Sequence, residues 1–223
     1  MAKTVTLATL RAEVQARGQY EGSADITTTL LNSTINSAIA EVYDLLVARW
    51  ADYYVTRANL STVVGVDTVT LPSDFYKLRK VEIVDSSSPS GYRSLHPMDL
   101  SVSHAVGTTV WRKGYRYRLE AGTLVLMPTP VAVETLRIFY IAYAPVLVAD
   151  ADTWDTINQY DELVVQTALL KCKQREELPT DDIEREIVRL TMRIRSAADG
   201  RDATMPMLYN AYGPDDDRGG WGW

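Results

Sequence analysis

With 223 residues, 46% of them apolar and 23% charged, the chain is long enough to bury one large core or two small ones and has the composition of a folded globular protein. Twenty-nine acidic against 23 basic side chains leave a formal charge of −6, opposite in sign to what phosphate neutralisation needs, so general affinity for DNA is disfavoured. The single cysteine, Cys172, excludes an internal disulfide, the longest apolar runs fall far short of the roughly 18 residues of a membrane span, and residues 1–5 show no secretion signal, which makes folding in a cytoplasm the expectation.

The first 60 residues read as helical. Leu7, Leu10 and Val14 recur with Ala8 and Ala12 at three- and four-residue steps, and Gly18 stands where a left-handed helix terminus is expected. Leu31, Ile35, Ile39, Val42, Leu46, Trp50 and Tyr53 then trace one face of a long second helix, continuous to about Tyr54 and capped by Asp25 or one of Thr27, Thr28 and Thr29.

The period changes after Ser61. Val, Thr, Tyr and Ile dominate to Tyr143, with alternation in Val69-Thr70-Leu71 and from Leu78 to Val84. Val66-Asp67 and Ala121-Gly122 each suit a hairpin turn, the second between strands at 115–120 and 123–127. Leu71-Pro72-Ser73-Asp74-Phe75 is punctuation, Ser86 to Gly91 is a polar surface loop, and Glu134 to Tyr143 is the longest strand candidate, stopped by Pro145.

Helical period returns near residue 156. Ile157, Tyr160, Val164, Thr167 and Ala168 share a face of a helix reaching about Glu177, and Pro179 breaks it. Asp181, three residues before Glu184, forms a capping-box pattern ahead of Ile183, Ile187, Leu190, Ile194 and Ala197. From Gly200 onward no period is present: Pro206 and Pro214, glycines, the acidic run Asp215-Asp216-Asp217 and isolated aromatics cannot build a core.

This order predicts an α+β protein. Helices in 1–60 and 151–200 pair as an antiparallel helical bundle, because neither pair hides its apolar stripe alone; 61–150 is an inserted β-rich region and 201–223 an extended C-terminal tail.

Reactive chemistry is sparse. His96 and His104 are eight residues apart around Pro97, with no shared helical face and no metal spacing, and neither a nucleophile elbow nor a phosphate loop is present. Asp150, Asp152, Asp155 and Asp161 loosely suggest calcium ligation, but the loop glycine is missing, so helix capping by Asp155 or Thr156 is the better account. The basic and aromatic stretch 111–118 could stack bases while pairing phosphates, but plain strand alternation, with Tyr115, Tyr117 and Leu119 inward and Arg116, Arg118 and Glu120 in solvent, explains its composition by itself. Cys172 reads as a small core or interface residue. No catalytic, cofactor or metal residue is assigned. In the tail, Tyr209, Tyr212, Trp221 and Trp223 on a Gly/Pro backbone are residue types that anchor in a partner's pockets.

An ordered set of short pieces resembles a known family. The set is Gly22-Ser23 with Ile26-Thr27 and Leu30-Leu31-Asn32, then Ile35-Asn36 with Glu41 to Leu46, and Leu71-Pro72-Ser73-Asp74-Phe75 through Leu78. It continues in Tyr117 to Glu120, Leu124 to Pro130, Tyr140-Ile141 with Ala144-Pro145, Asp150 to Asp155 and Ala168 to Cys172. Over about residues 7–200 this resembles the head-to-tail adaptor, or connector, proteins of tailed bacteriophages, including the group called tail tubular protein A.

The resemblance implies a structural virion protein at the head–tail neck, made in the host cytoplasm. It implies a homo-oligomeric ring of twelve copies below the portal protein that joins tail tube or nozzle proteins and passes viral DNA without specific binding. The tail, with Tyr209, Tyr212, Trp221 and Trp223, would dock against the portal. The low affinity for DNA expected of an acidic chain suits such a conduit. Two alternatives stand beside this reading: a tail completion or stopper protein of the same neck, and a nucleic-acid-binding module using 112–118.

Overall fold

Thr6 is both the last residue of a strand and the cap of a helix. A computed structural model describes residues 3–98, 115–156 and 160–201. In it, β1 (Lys3–Thr6) leads straight into α1 (Leu7–Gly18), and the Thr6 Oγ1 accepts the Thr9 N–H at 3.2 Å. The left-handed residue that ends α1 is Gln19, with φ of 57°, and not Gly18 as expected. Gly18 is needed for space: a Cβ there would lie 2.0 Å from the Tyr20 ring, which folds back against the helix end.

The second helix, α2 (Thr28–Arg49), is capped by Thr27, whose Oγ1 accepts from the Leu30 N–H at 3.3 Å. Its stripe Leu31, Ile35, Ile39, Val42 and Leu46 is buried as the spacing predicts. The stripe does not continue to Tyr54. Residues Ala51–Tyr54 form a 3-10 turn that leaves Tyr53 exposed and donating to Asp155 at 2.6 Å.

The strands that follow are β2 (Val55–Ser61), β3 (Thr68–Thr70), β4 (Phe75–Val84), β5 (Tyr92–Ser94), β6 (His96–Pro97), β7 (Arg116–Glu120), β8 (Thr123–Met127) and β9 (Thr135–Ala142). Among the described residues they make two four-stranded sheets, β2-β9-β4-β5 and β3-β8-β7-β6, antiparallel except where β6 meets β7. Val81, Ile83, Leu136, Ile138 and Tyr140 of the first sheet and Val69, Leu124 and Leu126 of the second share one apolar core.

The Ala121-Gly122 hairpin forms as expected, with Glu120 opposite Thr123 and φ of 41° and 84° at the two turn residues. The Val66-Asp67 turn differs. A single bridge joins Val63 and Val66, and the chain passes there from one sheet to the other, since β2 pairs with β9 and β3 with β8. The longest strand is β4, of 10 residues, against 8 in β9. Two register shifts in β4 broke the alternation that sequence reading relies on.

A further correction concerns residues 153–156. They form β10 (Thr153–Thr156), antiparallel to β1, with Val5 opposite Trp154 and Thr4 opposite Asp155. Asp155 and Thr156 therefore cap no helix. The third helix, α3 (Asp161–Arg175), starts after Tyr160 without a side-chain cap. In α4 (Asp181–Arg201) Asp181 is already helical, so the expected box shifts: the Thr180 hydroxyl donates to the Glu184 carboxylate at 2.8 Å.

Ile183, Leu190 and Ile194 are buried and Ile187 packs beside them, as their spacing predicts; the side chain of Ala197 lies outside the described set. All four helices contribute to one apolar cluster that also holds Val5 and Trp154. A small cluster of Tyr43, Val47 and Ile141 joins α2 to the first sheet. There the Tyr43 O–H donates to the Ala142 carbonyl at 2.9 Å, and burial pushes this hydroxyl up to about 12, so it remains a donor.

Candidate interaction surfaces

Of the acidic residues singled out in 150–161, Asp150, Asp152 and Asp155 are engaged by the fold. Asp150 pairs with Arg11 at 2.7 Å and Asp155 accepts from Tyr53. Asp152 accepts the Val148 and Ala149 N–H groups at 2.7 and 2.8 Å, which hold its carboxyl below the usual range. Among the described residues no group of three or more His, Cys, Asp or Glu side chains converges on a metal position. His96 lies exposed on β6 opposite Arg116, and His104 lies outside the described residues. Cys172 is buried in the helical core, and burial pushes its thiol up, away from the reactive thiolate.

The basic stretch 111–118 enters the described region only at Tyr115. Tyr115 and Tyr117 pack on the sandwich core as expected, with the Tyr115 O–H donating to Glu134 at 3.1 Å. Leu119 shares their parity yet is 44% exposed, because the core ends before the turn. Arg118 is half-buried and paired with Glu120 instead of standing free in solvent. Tyr209, Tyr212, Trp221 and Trp223, the expected anchors, lie outside the described residues.

Three surfaces that sequence reading did not find are built by the fold. The first lies where the loops 62–66 and 130–134 meet. Thr62, 1% exposed, ties them together: its N–H donates to the Glu134 carbonyl at 2.9 Å, its hydroxyl to the Ala132 carbonyl at 3.1 Å, and it accepts the Glu134 N–H at 2.8 Å. The Gly65 N–H adds a bond to the Pro130 carbonyl at 2.9 Å. With their backbones so engaged, the loops present Val63, Val64, Val66, Val131 and Val133 to solvent, Val131 being 85% exposed.

The second is the outer face of α4. Val188 and Met192 are exposed there, one turn apart, with Arg185, Arg189, Arg193 and Arg195 beside them. Arg185 and Arg189 are held by Asp182 and Glu186 on the same helix.

The third is the face of sheet β2-β9-β4-β5 turned away from the sandwich core. Register places Arg57 and Lys80 beside Phe139, Asn59 and Glu82 beside Arg137, and Lys77 beside Ile141, where α2 closes the face at one end. The Glu82 carboxylate is nearly buried under its partners: Lys80 Nζ at 2.6 Å, and Arg137 Nε and an Arg137 terminal nitrogen at 2.9 and 2.5 Å. Burial alone would raise the Glu82 carboxyl; the bonds from Lys80 and Arg137 outweigh it and hold the group below the ordinary range. Arg137 in turn lies 3.4 Å from the centroid of the Tyr92 ring and 5.2 Å from that of Phe139. The residues come from four strands between 57 and 139, so no local run in the sequence betrays the face. Each of its cations reads, by itself, as the solvent side of a strand.

Among the described residues, none of these three surfaces brings a nucleophile beside a base. In comparison with known proteins, residues 5–209 match the family model described as SU10 adaptor protein. No curated protein gives a significant match.

Proposed function

Because the chain belongs to the SU10 adaptor protein family, a family of phage structural adaptors placed at the virion neck, we propose that it works as a ring-forming head-to-tail adaptor. In this reading twelve copies close a ring below the portal protein, bind tail tube or nozzle components on the other side, and leave an axial channel for DNA. The helices within residues 1–60 and 151–200 act as an antiparallel helical bundle, 61–150 as an inserted β-rich unit, and 201–223 as a portal-docking tail anchored by Tyr209, Tyr212, Trp221 and Trp223. The narrower likeness to tail tubular protein A belongs to the same proposal.

The observation that carries the proposal is the family match over residues 5–209 of the chain. The surfaces support it physically. A closed ring needs a heterologous contact, in which one patch of a copy meets a different patch of the next. The five exposed valines of the loops and the Val188–Met192 face of α4 are two such separate patches on one chain. The acidic net charge keeps affinity for passing DNA low, as a conduit requires.

Mixing the full-length protein with purified portal rings and imaging by electron microscopy tests the proposal. The expected result is a ring of added density beneath the portal, lost when Tyr209, Tyr212, Trp221 and Trp223 are all replaced by Ala. Portal attachment that survives the fourfold replacement refutes the docking role of the tail. The absence of any ring, alone or on portal, refutes the adaptor reading.

A further inference from the structure

The outer face of sheet β2-β9-β4-β5 is basic on a chain that is acidic as a whole. It carries Arg57, Lys77, Lys80 and Arg137 against the single carboxylate of Glu82. Lys80 and Arg137 are engaged by Glu82, while Arg57 and Lys77 are exposed and have no carboxylate partner among the described residues. Tyr92 and Phe139, half-buried beside Arg137, add aromatic surface to the same face. We infer that this face binds the chain's own acidic and aromatic tail, with Asp215-Asp216-Asp217 over Arg57 and Lys77, and Trp221 and Trp223 along Tyr92 and Phe139.

Charge, reach and composition all favour this occupant. Three consecutive carboxylates are the densest negative run in the sequence, and they meet the two cations that lack partners. Asp215 lies 14 residues beyond the end of α4 at Arg201, a tether of up to about 48 Å at ~3.4 Å per residue. Because the segment belongs to the same chain, its binding is intramolecular, and individually weak ion pairs suffice where the chain spans the gap. Trp221 and Trp223 are two residues apart and share a side of an extended chain, and Gly219, Gly220 and Gly222 let that chain approach closely. Duplex DNA is the poorer fit. Its dense phosphate array needs more free cations than this face leaves, and the net charge of −6 opposes its approach. The inference concerns the free chain, before any portal competes for Trp221 and Trp223, so it goes beyond the ring reading and does not depend on it.

The test uses the full-length protein carrying a benzophenone photo-crosslinker, Asn59→p-benzoylphenylalanine in one sample and Phe139→p-benzoylphenylalanine in a second, which guards against a misfolded variant. After irradiation in about 0.05 M salt, mass spectrometry of the digest is expected to find adducts to peptides from 202–223. A tail peptide in an adduct with the mass of one chain supports the assignment, whereas tail adducts found only at the mass of two chains overturn it, because the tether acts within one chain. Its yield should fall several-fold in about 1 M salt, where screening shortens to about 3 Å, and in the D215N/D216N/D217N variant. Adducts confined to other segments at both positions overturn the inference, as does a tail adduct indifferent to the triple replacement. Adding a short duplex provides the competing outcome. If DNA is crosslinked in place of the tail, the face is a nucleic-acid surface and the inference fails.

Discussion

Asn36 is the side chain whose replacement most directly tests how the helices are tied to the segment that leaves the sheets. Its amide Nδ2 donates to the Leu147 carbonyl at 2.9 Å and to the Asn32 carbonyl at 3.0 Å, and its Oδ1 accepts the Leu147 N–H at 2.8 Å. Leu147 is buried in the helical core, so Asn36→Ala removes three hydrogen bonds and strands both backbone polar groups of a buried residue. Each bond contributes about 1 kcal/mol net, and each buried group left without a partner costs about 1–3 kcal/mol. Asn36 itself is only half-buried, so water reaches part of the gap and the lower end applies: about 2–3 kcal/mol in total, or about 5–10 °C in Tm for a chain of this size. Urea unfolding followed by circular dichroism should show a lower midpoint with an unchanged slope. Asn36→Asp keeps the acceptor but turns a carboxylate toward two carbonyls; it should be at least as destabilised at neutral pH and recover as acid protonates it into a donor. A loss below about 0.5 kcal/mol for Asn36→Ala would refute the claim that this amide pins the 147 segment to α2.

Three other perturbations have defined outcomes. Ile194 is fully buried in the helical core, so Ile194→Asp should cost several kcal/mol by burying an unpaired charge, and a melting curve like the wild type's would show that α4 does not pack through this face. The bond from Arg17 at 2.5 Å holds the Glu162 carboxyl below its ordinary 4.5, so its contribution is present above that pH and lost as pH falls through the lowered value; Glu162→Gln should flatten the acid limb of a stability–pH curve, and an unaltered limb would count against the pair. Gly18→Ala should destabilise by about 1–2 kcal/mol despite the better helix former, because the Tyr20 ring must leave its place; a stabilised variant in thermal unfolding would contradict this.

What the sequence made legible was what is local. The stripes of α2 and α4 and the Ala121-Gly122 hairpin are each written within a few turns or strands, where period and turn chemistry act directly. The β1–β10 ribbon was not legible, because its two four-residue pieces are about 150 positions apart and neither has the length for a visible alternation. Without it, Asp155 looked like a helix cap and Trp154 had no reason to be buried. Gly18 was recognised as special for the wrong reason, since φ is inherited from local sequence but the approach of the Tyr20 ring is not. The end of the α2 stripe failed similarly: Trp50 and Tyr53 keep the helical spacing, while the backbone has already turned into a 3-10 segment. Tail residues Tyr209 to Trp223 were singled out by type alone, whereas the basic sheet face emerges only when strands separated by some 80 residues are laid side by side.

The pairing of β2 with β9 has a mechanical meaning. Val55 stands opposite Ile141 at the helical end, and Ser61 opposite Thr135 at the other, just before the chain opens into the two valine loops. Seven paired residues at ~3.4 Å make a strut about 24 Å long, two strands of the chain side by side and footed on Tyr43 and Val47 of α2. A neighbour pressing on the loop tips therefore pushes a stiff lever, not a floppy hinge, and the load arrives at the last two turns of α2.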